Sequence, residues 1–167
     1  MNSGIRDKLS ELVVNYKRLT EYYRRITEFG DEEVLLIDQG DMESLLGILR
    51  EKEEIMIEVS RCQEQVGEIQ DCIANNYQLE SFSVNELIQV VDSSNRDLVE
   101  RLKQEIKRLI KQLEILEQQE RIHESMLRNY AKQVSQIQSP PMNSTGKKAY
   151  EKMLKTKDKA NDIDLKR

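Results

Sequence analysis

The sequence predicts an all-α protein: an elongated antiparallel helical bundle or coiled coil of three long helices, with one short connecting helix and a flexible C-terminal tail. Three observations predict it. Charged residues make up 34% of the 167 residues and aromatics 5%, with no Trp. Pro and Gly, the usual helix breakers, number 2 and 6. Apolar residues recur at steps of three and four through most of the chain. The first observation also describes disordered chains. The periodicity decides for helices.

The first long element carries Ile5, Leu9, Leu12, Tyr16, Leu19, Tyr23 and Ile26 in a seven-residue repeat with charges between. Gly30 interrupts it, and Val34, Leu35 and Ile37 are expected to resume one face. Gly40 is a good C-terminal stop because glycine tolerates left-handed backbone, and Asp41 is a good N-cap for the next helix. The second element is expected from about Met42 to Asn75. Its seam is Leu45, Ile48, Lys52, Ile55, Val59, Cys62, Val66, Ile69 and Ile73. Lys52 is expected to pack its stem and snorkel its amine to water. Between 76 and 93 the capping-box pattern Ser83-Val84-Asn85-Glu86 precedes Leu87, Ile88, Val90 and Val91, which predicts a short helix. A strand at 87–91 is the alternative, although it has no visible partner.

The third element is expected to be capped by Ser93 or Ser94 and to reach about Gln138. Its seam reads Val99, Leu102, Ile106, Leu109, Leu113, Leu116, Glu120, His123, Leu127, Tyr130, Val134 and Ile137. Glu117–Arg121 and Glu124–Arg128 are favourable i,i+4 pairs on its flanks. A helix of that extent spans roughly 65 Å, against about 40 Å for a compact domain of this size, so a rod is expected. Ser139-Pro140-Pro141 ends it. Two regions are expected: a helical bundle, 1–138, and a flexible basic tail, 139–167.

The tail holds eight Lys and Arg against four Asp and Glu, so the body is more acidic than the net charge of −5. An acidic body argues against nucleic acid as the main partner. No stretch approaches the length of a membrane span, and Met1-Asn2-Ser3-Gly4 leads into charged amphipathic sequence rather than a secretory signal. Cys62 and Cys72 would lie roughly 15 Å apart on one helix, too far for a disulfide. A cytoplasmic protein is expected.

Little in the chain suggests chemistry. It has one His, and His123 has only Glu120 at ligand spacing, which makes a poor metal site. No Gly-rich loop precedes a helix. No catalytic residue, metal or cofactor is expected. Glu120 and His123 read instead as a polar layer in an apolar seam, a device that costs stability but fixes register. Downstream of it lie Met126, Leu127, Tyr130, Val134 and Ile137. These either continue the core or accept a partner. The third helix exceeds the first two by roughly ten residues, about 15 Å, so its end is expected to project and to bind a partner.

Three stretches resemble the FlgN family of flagellar export chaperones. The clearest is Leu35-Leu36-Ile37-Asp38-Gln39-Gly40-Asp41-Met42, continuing through Leu45-Leu46 to Lys52-Glu53-Glu54: a helix end, a Gly-Asp turn and a Leu-rich helix. The second is Glu120-x-x-His123-x-x-Met126-Leu127, where family members often carry two Asn. The third is the break from Pro140-Pro141 to Gly146. Members often have a Tyr shortly after the last long helix; Met142 stands near that place here. The resemblance implies a cytoplasmic type III export chaperone. Its clients would be hook-filament junction proteins of the FlgK and FlgL type, which it keeps from premature assembly and delivers to the export apparatus. The alternative is a structural homo-oligomeric coiled-coil scaffold or adaptor. Both a monomer and a homodimer fit the sequence.

Overall fold

The computed structural model describes the backbone of residues 3–138 and the side chains of 4–136. Its regular elements are all helices: α1 Ser3–Glu28, α2 Gly30–Gln39, α3 Met42–Asn76, α4 Val84–Val90 and α5 Arg96–Gln138. The chain divides into two units, Met1–Ile122 and His123–Arg167, and α5 contributes to both. The expected tail, from 139 onward, lies outside the described residues. No helix among the described residues is long and apolar enough to cross a membrane.

The first unit is built on α1 and α3. Leu9, Leu12, Leu19, Tyr23 and Ile26 are buried, with Ile5 and Tyr16 packed against the same core. On α3 every position of the expected seam is buried, from Leu45 to Ile73. Each fully buried Leu, Ile or Val contributes about 1.5–3 kcal/mol relative to exposure. Polar clips set the register. Gln70 Nε2 donates to the Tyr16 hydroxyl at 2.7 Å, Tyr23 pairs with Gln63, and Lys52 reaches Glu33. Positions ascending through α1 and α2 meet positions descending through α3, so the two run antiparallel. Burial pushes the Tyr16 phenol above its ordinary range, and the Gln70 bond opposes that only in part.

The hairpin between α2 and α3 closes as expected. Gly40 takes φ 70°, a left-handed conformation that side chains disfavour. This lets the Gly40 and Asp41 amides bond the Ile37 and Leu36 carbonyls at 3.1 and 2.9 Å. Asp41 then caps α3, accepting the Ser44 amide at 3.1 Å. Ser83 caps α4 by accepting the Glu86 amide at 3.4 Å. The strand weighed for 87–91 is overturned: Val84–Val90 is helical, and Leu87 is fully buried.

Two expected boundaries move. Neither Ser93 nor Ser94 begins α5. The helix starts at Arg96, and the Val99 amide bonds the carbonyl of buried Asn95 at 3.2 Å. The Ser94 carbonyl is engaged instead by Arg6 Nη1 at 2.6 Å. That contact sets the start of α5 beside the start of α1. Farther along, Gln112 Nε2 donates to Thr27 Oγ1 at 2.9 Å, so α5 runs parallel to α1. The inward face of α2 also differs from expectation. Gly30, Glu33, Leu36 and Ile37 are buried, while Leu35 is exposed. The backbone restart at Gly30 turns Glu33 inward and Leu35 out.

Candidate partner-binding surface

The inward face of α5 departs from the expected heptad row. Leu98, Val99 and Leu102 are buried, and Ile106, Leu109 and Leu116 pack against the core. Leu113 and Glu120, expected in the seam, are exposed, and Glu105 is buried in their stead, with Gln112 and Gln119 half-buried. The inward positions 98, 102, 105, 109, 112, 116 and 119 keep the four-and-three spacing of a heptad, in a phase that puts Gln112 and Gln119 where Leu113 and Glu120 were expected. Successive residues lie about 100° apart on a helix, so a rotation of α5 by about half that angle accounts for the change.

Glu120 therefore stands at the edge of the seam, where it meets Lys52. The Lys52 ammonium lies 2.8 Å from Glu33 Oε1 and 2.7 Å from Glu120 Oε1. The Glu33 side chain is 4% exposed and that of Lys52 11%. The expectation that the Lys52 amine snorkels to water is thus corrected: carboxylates from α2 and α5 receive it. Burial alone would depress the Lys52 ammonium, but the Glu120 and Glu33 carboxylates outweigh it, and the net shift is upward. One cation thereby ties three helices together. Glu33 was not legible as a partner, because it sits in the acidic run Asp31-Glu32-Glu33 that any helix N-terminus favours.

Just beside this triad, Gln119 Nε2 donates to the Thr27 carbonyl at 3.1 Å. A Cβ added at Gly30 would lie 1.6 Å from that nitrogen. Gly30 leaves room for the Gln119 side chain at the start of α2. Gly30→Ala gains about 0.5–1 kcal/mol of helix propensity, but displacing a buried, bonded amide costs more. The expected net result is a loss of roughly 1–2 kcal/mol, read by urea denaturation, with most of it recovered in Gly30→Ala with Gln119→Ala. A Gly30→Ala variant as stable as wild type would show that Gln119 swings away freely.

In the second unit, His123 is buried and α5 continues with one apolar row. Met126, Tyr130 and Val134 are half-buried, and Leu127 is 37% exposed on the flank of the same row. Ile137 extends the row by its position on α5, but its side chain lies outside the described residues. Of the two polar positions, His123 is buried and the Glu120 side chain is half exposed. Glu117–Arg121 and Glu124–Arg128 pair as expected, at 2.5 and 2.8 Å. The row thus offers apolar surface between charged flanks. Cys62 is buried and Cys72 exposed, both as free thiols. Comparison with known proteins returns no match to any family model, curated protein or solved structure.

Proposed function

We propose that this chain is a cytoplasmic export chaperone of the flagellar type III kind, one that binds an amphipathic helical segment of a hook-filament junction protein. In this reading α1 with α2, α3 and α5 form an elongated antiparallel coiled-coil bundle joined through α4. The client lies along the C-terminal part of α5 and is kept from premature assembly until delivery to the export apparatus. The observation that carries the reading is the half-open apolar row Met126, Leu127, Tyr130 and Val134, continued in position by Ile137. Amphipathic helices bind such rows through anchors spaced three and four residues apart. Met and Tyr suit an adaptable contact. The cost of ordering an unfolded client keeps release possible. The resemblance of Leu35–Glu54 to the FlgN pattern supports the identity of the client.

The test is titration calorimetry against a purified hook-filament junction protein. Leu127→Ala with Tyr130→Ala should weaken binding by on the order of 30- to 1,000-fold. Leu102→Ala is the control. Leu102 is fully buried, and its truncation should cost about 2–5 kcal/mol of stability with no specific binding defect. Wild-type affinity in the double variant would move the client site elsewhere. If no junction protein binds the wild-type chain, the scaffold reading takes precedence.

A further inference from the structure

α3 buries one face against α1 and α2 and leaves a second one open. Leu46, Leu49, Met56 and Ile57 are 55%, 43%, 41% and 50% exposed. At 100° per residue these four positions fall on one flank of the helix, with Arg50 and Glu53 among them. Arg50 and Glu53 form no ion pair or hydrogen bond among the described residues, although three residues separate them and their neighbours pair freely. Four large apolar side chains thus surround two solvent-exposed charges of opposite sign.

The pattern is self-complementary. We propose that this flank of α3 is a homodimer interface, in which α3 of a second copy lies antiparallel about a two-fold axis passing between Glu51 and Lys52. In that register Leu46 faces the partner's Ile57, and Ile57 the partner's Leu46. Leu49 meets the partner's Met56 on the other side of the axis. Arg50 faces the partner's Glu53, and the pair occurs twice by symmetry. A two-fold interface requires every contact to repeat in this way. The complementarity of Arg50 and Glu53, met twice by the symmetry, favours a second copy as the occupant. A patch of this extent belongs at the small end of specific interfaces, below about 1,200 Å² in total. The dimer is therefore reversible and concentration-dependent. The proposal is independent of the client row on α5.

Charge reversal provides the test, by analytical ultracentrifugation of the full chain over a range of concentrations. Arg50→Glu sets a new carboxylate against the partner's Glu53, and Glu53→Arg sets two guanidinium groups together. Each variant alone should lose dimerisation by on the order of 100-fold, because like charges at an interface cost several kcal/mol. Mixing the two should restore a one-to-one heterodimer, since each carboxylate then faces a guanidinium. The double variant Arg50→Glu with Glu53→Arg should dimerise with itself. Helicity by circular dichroism should be unchanged throughout, as both residues are exposed. A wild-type chain that stays monomeric at every concentration overturns the proposal. So does a dimer that survives both single reversals, which would place the interface elsewhere. A monomeric wild type in which Leu46→Asp abolishes junction-protein binding would assign the flank to the client instead, and equally overturn it.

Discussion

Val59→Asp is expected to unfold the helical core of the first unit or bring it close to unfolding. Val59 is fully buried and belongs to the cluster that joins α1, α3 and α5. The substitution forfeits the valine burial, about 1.5–3 kcal/mol, and forces a carboxylate into apolar surroundings or a costly protonation. Together these should exceed roughly 4 kcal/mol, against a total stability of about 5–15 kcal/mol for a typical domain. Thermal and urea denaturation followed by far-ultraviolet circular dichroism measures it. Leu45→Asp should cost less, because Leu45 lies one turn from the Gly40 hairpin and its new carboxylate can bend toward water. Wild-type stability for Val59→Asp would mean that the face shared by α1 and α3 is not buried in solution.

Lys52→Met should cost about 3–5 kcal/mol, the loss expected when one partner of a buried ion pair is removed. Methionine keeps the stem packing but leaves the Glu33 carboxylate, 4% exposed, without the ammonium it faces. The loss at Glu120 adds little, since that side chain is half in water. Two signatures separate this from a packing defect. The deficit should shrink in acid, where a protonated carboxyl no longer needs a cation. It should also shrink in Lys52→Met with Glu33→Gln, which removes the charge mismatch. For the wild type, the Lys52 ammonium is held above its ordinary value in the folded state. Its contribution is thus complete below the unfolded value of about 10.4 and is lost as pH rises through the folded one. Urea denaturation at pH 5, 7 and 11.5 reads both effects. A Lys52→Met variant that is equally destabilised with and without Glu33→Gln would show that only the lysine stem matters.

The row on α3 was legible in full, Lys52 included, because α3 is packed against its neighbours along its length and its apolar spacing is unbroken. The same reading applied to α5 drifted. It placed Leu113 and Glu120 inward, where the structure has Gln112 and Gln119. Two heptad phases one residue apart share Leu102, Leu109 and Leu116, and apolar side chains on both flanks satisfy either. At the client row, Tyr130 and Val134 are expected seam positions, and Met126 is half-buried where Leu127 was expected. Its position on α5 was readable, whereas the degree of exposure was not.

By itself the sequence determined the helices, the Gly40–Asp41 hairpin, the Asp41 and Ser83 caps and the buried face of α3. These depend on contacts within a few residues, and each is written in propensity, capping chemistry or periodicity. Only the tertiary structure decided which carboxylates receive Lys52, which side chain packs over Gly30, and which flank of α5 turns inward. Glu33, Lys52 and Glu120 lie on three different helices, and Gly30 answers to Gln119 across the first unit. Charges and close approaches of that kind depend on the rotation of one helix against another. A rotation of about half the 100° between successive residues selects a different side chain, and local sequence does not encode it.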